Sequence, residues 1–183
     1  MKLKTDYMCK KQSWQFLWGD KMDNSFIIRR ATEEDAGSIK SIISEAFRKY
    51  KNDAGIEGNM EALDESIEDI KNAIKNSYVY IALFNEIPVG TIRVSINSDN
   101  TAYISRFGVR LDYHNIGIGK SLISLVDELL ISKGIKTAYL YTASTYAELV
   151  RFYYGRGFYI DSTTKDRGYI RALMVKNIKN KKD

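Results

Sequence analysis

Cysteine is almost missing from this 183-residue chain. Cys9 stands alone, so no internal disulfide forms and no cysteine-based metal cluster is available. Histidine is as scarce, His114 being the single copy, and a zinc site would need several carboxylates that the sequence nowhere groups. No metal is expected. Long apolar runs are missing too, since none approaches the roughly 20 residues that span a bilayer. The lysine-bearing N-terminus has no continuous apolar segment leading to a small-residue cleavage site. The expectation is a cytoplasmic protein with no membrane partner.

The folded body also lacks an excess of positive charge, although the chain as a whole carries +5. Residues 1–21 hold five lysines against two aspartates, and residues 177–183 hold three lysines against one aspartate. The remainder has 20 basic and 20 acidic residues and is neutral. A nucleic-acid footprint belongs on the domain itself, so no nucleic-acid partner is expected. A basic-tailed RNA-associated protein would instead lose its salt-sensitive binding when the tails are cut.

What remains is the size and composition of one globular domain. Met1–Lys21 reads unlike the rest, because Trp14, Phe16, Leu17 and Trp18 follow neither a strand nor a clean helical period. Residues 1–21 are therefore expected to be an N-terminal extension, and residues 22–183 the domain. The extension is either an arm that docks by its aromatics or lies upstream of a native start at Met22. The codons for Trp18–Met22 permit a purine-rich ribosome-binding stretch just before that methionine.

From Ser25 the pattern is regular. Phe26–Arg30 reads as a strand, and Thr32–Asp35 as a capping box before a helix bearing Ile39, Ile42, Ile43 and Phe47. Arg48–Asn59 reads as a loop, and Leu63, Ile67, Ile70 and Ile74 as one second helix. Tyr78–Phe84 and Val89–Asn97 form a hairpin, followed by a strand over Thr101–Arg110. Gly108 inside that strand marks a bulge or a close backbone approach. Ile118 to Leu130 carries one apolar face and stops near Gly134. Thr137–Thr142 is a strand. Thr145-x-x-Glu148 reads as a second capping box, and Phe158–Ser162 with Tyr169–Val175 as a final hairpin.

Two segments carry chemistry. After the strand ending at Val109, the loop His114-Asn115-Ile116-Gly117-Ile118-Gly119 opens a helix with Lys120 in its first turn. Two glycines let backbone crowd an anion, and the free N–H groups and positive end of a helix favour phosphate there. The loop is neither a Walker loop nor a dinucleotide fingerprint, since both spacings are absent. Taken singly, a G-x-G equally well shapes a tight turn. The second segment is Phe152-Tyr153-Tyr154-Gly155-Arg156-Gly157-Phe158. Phe152 and Phe158 read as core. A tyrosine, with an ordinary phenol pKa of about 10, is protonated at neutral pH and can donate to a thiolate.

Together, from Phe26 to Lys176, these segments resemble the GNAT superfamily of acetyl-CoA-dependent N-acyltransferases. The family's Gln/Arg-x-x-Gly-x-Gly/Ala motif falls on His114–Gly119, and its aromatic-Tyr pair before Gly-Phe falls on Phe152, Tyr153, Gly157 and Phe158. The resemblance implies an α/β fold with a mostly antiparallel sheet of seven strands, one parallel splayed pair, and helices on both faces. It implies acetyl-CoA as co-substrate, with pantetheine pairing to the backbone of Phe107, Gly108 and Val109. The pyrophosphate would take N–H donors from Asn115, Ile116, Gly117, Ile118, Gly119 and Lys120. Tyr153 would protonate the leaving sulfur; Tyr154 points about 100° away.

The sequence departs from the family in three places. His114 stands where Gln or Arg is usual, Tyr146 where a cofactor-contacting asparagine is common, and Ser105-Arg106 where many members carry a base glutamate. No base is assigned, and deprotonation through water suffices where positioning supplies the rate. The acceptor wall would be Arg48–Met60 and the next helix, with Tyr159, Tyr169 and Arg171 opposite. Asp53, Glu57, Glu61, Asp64 and Glu65 give that wall an acidic lean suited to a cationic amine, or are simply a solvated face. The expected activity is N-acetylation of a primary amine of a small molecule or peptide. Protein N-terminal acetylation, another acyl donor and an idle acyl-CoA-binding module stay open. Symmetry statistics make a homodimer the default.

Overall fold

The computed structural model describes residues 26–179; the N-terminal extension and Met22 lie outside the described residues. In chain order the elements are β1 (Phe26–Arg30), α1 (Ala36–Asp53), α2 (Glu61–Asp64), α3 (Ile67–Asn76), β2 (Tyr78–Phe84), β3 (Ile87–Ile96) and β4 (Thr101–Val109). Then come α4 (Ile118–Ser132), β5 (Thr137–Ala143), α5 (Ala147–Tyr154), β6 (Tyr159–Thr164) and β7 (Arg171–Asn177). The strands form one sheet in the order β1-β2-β3-β4-β5-β7-β6. Every neighbouring pair is antiparallel except β4 and β5.

Side chains alternate across the sheet, so each strand feeds two cores. Val79 and Ile81 of β2 pack under α1 and α3 with Ile39, Ile43 and Ile70. Ala82, Ile92, Val94, Ile104 and Leu140 face Ile118, Leu122, Val126 and Leu130 of α4 on the other side. Two glycines let these helices approach closely near the ends of β3 and β4. A Cβ on Gly90 would lie 3.0 Å from Ile118, and one on Gly108 would lie 2.9 Å from the Cβ of Ala46.

The expected seven strands and main helices are present, and four local expectations are corrected. The loop expected from Arg48 begins later, because α1 runs to Asp53. A Lys49–Asp53 ion pair at helical spacing (2.8 Å) supports that extra turn. The single helix expected after it is two pieces. Ser66 caps α3, accepting from the N–H of Asp69 at 3.1 Å, while the Asp69 carboxylate accepts the Ser66 N–H at 2.8 Å. The capping box expected at Thr145–Glu148 does not form; α5 starts at Ala147 with Tyr146 as N-cap and no side-chain cap. The last strand starts at Arg171 rather than Tyr169. The box at Thr32 does form, with the Asp35 carboxylate taking the Thr32 N–H (2.7 Å) and also holding Arg29 (2.6 Å).

The feature that positions the site is a parting of strands. β4 and β5 pair only over Thr101–Tyr103 and Thr137–Tyr139. Beyond that, β4 stays with β3 as far as Val109, while β5 stays with β7 as far as Ala143. A bulge drives β4 away. Between Thr91↔Gly108 and Arg93↔Ser105, β4 has one residue more than β3. The extra residue is at Arg106, whose φ of +49° is costly for a side chain by about 1–2 kcal/mol. The bulge expected near Gly108 is thus at Arg106, and Gly108 itself serves the close passage of α1.

Candidate active site

The loop after β4 is a row of unused donors. The N–H of His114 bonds the carbonyl of Leu111 (3.2 Å), and the next backbone donor engaged is that of Ser121, to Gly117 (3.0 Å). The six N–H groups between them, Asn115 to Lys120, have no backbone partner among the described residues. Gly117 caps α4 at φ +95°, and Asn115 also has positive φ, at +63°. Such alternation of hand turns successive N–H groups inward and makes an anion-binding concavity. The glycines differ in purpose. Gly117 has open space around it and is needed for its dihedral, whereas a Cβ on Gly119 would lie 3.2 Å from Phe107 and 3.5 Å from Phe152. Ile118 is fully buried and pins the loop to the core, while Ile116 and Lys120 are exposed. The approach is braced from α1: Glu45 accepts the Leu111 N–H at 2.8 Å and holds Arg110 at 2.6 Å.

The parted strands supply a second set of backbone groups. The Arg110 N–H is spent on Val89 (2.8 Å), so alternation turns the N–H and C=O of Val109 away from β3 and into the gap. His114 Nε2 lies 3.0 Å from that carbonyl. The lone histidine thus sits at the strand end, beside the anion loop. The gap is roofed by aromatic rings. Phe107 stacks on Phe152 (5.6 Å between centroids), and Tyr153 lies 6.2 Å from Phe107 and 5.7 Å from Phe158. Tyr153 is 5% exposed, and its hydroxyl makes no hydrogen bond among the described residues. Burial raises its phenol well above the ordinary value, and the Tyr50 and Tyr103 hydroxyls add to that effect. Tyr154 points outward and is 49% exposed, as one helical step predicts.

Three features go beyond the sequence reading. Tyr50, which fell in the expected loop, reaches from α1 to the end of β5, where its hydroxyl accepts the Ala143 N–H at 2.6 Å. The run Ile39, Ile43, Phe47, Tyr50 keeps helical spacing and would have found it. Tyr146 donates to Asp53 at 2.9 Å, and burial together with that carboxylate pushes its phenol up to about 12. A cavity of about 620 Å³ runs along α1 from Leu111, just past β4, to Asp53, which holds Tyr146 just past β5. Thirdly, the acidic wall is not free charge. Glu65 is held by Arg93 (2.7 Å) and Arg106 (3.1 Å), Glu61 by Arg167 (2.8 Å), and Asp53 by Lys49 (2.8 Å). Those three carboxylates are spent on partners of the same chain.

No group of three or more His, Cys, Asp or Glu side chains suited to a metal is found among the described residues. No described helix is long and apolar enough to cross a membrane.

Parallel strands parted by a bulge, an anion-binding helix start beside them and a buried phenol between them define an α/β protein built to hold an elongated, phosphate-bearing ligand. Comparison with known proteins makes this specific. Residues 39–158 match the model of the Acetyltransferase (GNAT) family, and the chain belongs to that family. The PaiA N-acetyltransferase of Thermoplasma acidophilum, solved in complex with coenzyme A, shares 23% identity at a TM-score of 0.73, over 84% of this chain and 99% of that one. An acetyltransferase of the GNAT family from Staphylococcus aureus shares 20% at 0.68, over 85% and 100%. Ard1 from Thermoplasma volcanium shares 21% at 0.67, over 85% and 99%. At these identities the likeness establishes the fold.

Proposed function

We propose that the protein is a cytoplasmic N-acetyltransferase that moves the acetyl group of acetyl-CoA to a primary amine of a small molecule or peptide. The observation that carries this reading is the neighbourhood of three features: six N–H groups without backbone partners, the gap beside Val109, and Tyr153, whose ring packs on Phe107 beside both. The loop from Asn115 to Lys120 suits a pyrophosphate, whose two charges it meets with donors and the positive end of α4. The inward-facing amide of Val109 offers strand-like pairing to pantetheine, as does Phe107 before it. His114 borders the same carbonyl, and Tyr146 closes the mouth where it meets Asp53.

In this reading the amine nitrogen attacks the thioester carbonyl carbon. A C–N bond forms, the charge that develops on oxygen faces the Val109 N–H, and the C–S bond breaks. The sulfur leaves with the proton of Tyr153, which regains one from solvent, and the amine's surplus proton passes to water. Burial suits Tyr153 to the task, because a raised phenol keeps its proton until a strongly basic thiolate appears beside it. No carboxylate is needed as base, since holding the two reactants together supplies much of the rate.

Titration calorimetry with coenzyme A tests the reading. Binding heat is expected, weakened in Gly117→Ala, where a side chain opposes the φ of +95°. No heat, or a bound coenzyme A lying away from residues 115–120, would refute it. Binding without turnover of acetyl-CoA by any amine would favour an idle acyl-CoA-binding module instead.

A further inference from the structure

We propose that the amine acceptor carries a carboxylate and that Arg106 receives it, an inference that rests on the acetyltransferase reading and names its substrate class. Arg106 is the bulged residue of β4, three positions before Val109, and its side chain turns to the α1–α3 side of the gap. There it shares one carboxylate with a second arginine. Glu65 gives both oxygens to Arg93, at 2.7 and 3.1 Å, and one of them also to Nε of Arg106 at 3.1 Å. The two terminal amino groups of Arg106 have no partner among the described residues. Two guanidinium groups against one carboxylate leave a charge of +1 where the side chains are only 12%, 20% and 10% exposed. The Arg106 terminal amino groups are not among the buried unpartnered atoms, so they stay open to an arriving anion.

The surroundings extend the same sign. Arg167 pairs with Glu61 and Arg171 with Asp166, so the corner holds four arginines and three carboxylates. Arg106 adjoins Phe107 on β4, and the Phe107 ring lies 6.2 Å from that of the proposed acid, Tyr153. Tyr103 stacks on Tyr139 (5.2 Å), and Arg171 lies over Tyr141 (4.5 Å), giving a flat wall beside the cation. A cationic polyamine would meet net positive charge here, whereas an amino acid or a peptide end brings a planar anion that fits the open fork of a guanidinium. The positive φ of Arg106 is consistent with this: the backbone holds an arginine in a conformation that glycine takes freely.

The test compares matched acceptors on the intact protein. Amino acids and dipeptides are set against their carboxamides, with aminoethylphosphonate and spermidine as further arms, while coenzyme A binding is followed by calorimetry. The carboxylate forms are expected to show about 10- to 100-fold higher kcat/KM than the amides, the range of a lost hydrogen bond to a charged group. That ratio should collapse towards one in Arg106→Gln, with coenzyme A binding unchanged, and be partly kept in Arg106→Lys. Binding of an N-acetylated amino acid to the coenzyme A complex, absent in Arg106→Gln, gives a readout that needs no turnover. Equal use of acids and amides, preference for spermidine or the phosphonate, or no such binding while coenzyme A still binds, would overturn the carboxylate and leave the acetyltransferase reading standing. Failure to bind coenzyme A would remove both.

Discussion

Tyr153 is held among Phe107, Phe152 and Phe158 by rings alone, and its hydroxyl is tied to nothing in the described protein. A hydroxyl that bonds no protein group contributes little to stability, so Tyr153→Phe should melt within a degree or two of the wild type. In the proposed reading its effect belongs to catalysis. Loss of a general acid lowers kcat by about 100-fold, with coenzyme A binding retained. The sign of the pH dependence follows from burial. A phenol raised above its ordinary value of about 10 keeps its proton throughout the neutral and mildly alkaline range. The kcat profile should therefore show no descending limb from this group below about pH 10. A limb centred near pH 8 that vanished in Tyr153→Phe would show a phenol lowered below its ordinary value, against the direction that burial sets. At this scale the sequence was informative wherever a single residue type decides the matter. Gly117 is needed for its dihedral, and one helical step separates Tyr153 from Tyr154. It was silent on the partners of Tyr50 and Glu65, which lie 93 positions away in one case and 28 and 41 in the other.

Between elements, the gap depends on how closely α1 crosses β4. Ala46 and Gly108 meet there with no flexible atoms to yield, since an added Cβ would lie 2.9 Å from another Cβ. Gly108→Ala should destabilise the fold by about 1–3 kcal/mol, as overpacking does. Ala46→Gly costs about 1 kcal/mol alone through helix propensity. The double variant should recover more than half of the loss from Gly108→Ala, and urea unfolding of all four proteins measures that coupling. Additive losses would show that the contact does not set the spacing. Element existence was legible because periodicity is local, and the two amphipathic faces of α1 and α4 are written in consecutive turns. Element ends were less so. The polar run at Arg48–Asp53 looks like loop but continues α1, since Phe47 and Tyr50 still face inward and Lys49–Asp53 pairs along the surface. Ser66 divided what periodicity joined, because a cap outweighs a continuing apolar stripe. Glycine marked the bulge two residues late, since the displaced residue is an arginine held in place by Glu65.

For the molecule as a whole, the order of chemical events follows from what the gap contains and how it opens. The donor loop at Asn115–Lys120 follows β4, while Arg106 and the Arg167–Glu61 pair lie on the side of α2 and the β6–β7 turn. In the proposed reading the two reactants enter from these two sides and are held together. A covalent acetyl-enzyme would need an activated nucleophile, and none is built among the described residues. His114, the chain's single histidine, spends its Nε2 on the Val109 carbonyl rather than on a serine or threonine hydroxyl. Transfer should then be direct, within a ternary complex. Initial rates at varied acetyl-CoA and amine should give intersecting double-reciprocal lines. Mass spectrometry after incubation with acetyl-CoA alone should show no added acetyl group on the protein. Cys9→Ser should leave kcat unchanged. Parallel lines together with a stoichiometric acetyl adduct would require a nucleophile that this geometry lacks, and would move the chemistry away from the gap between β4 and β5.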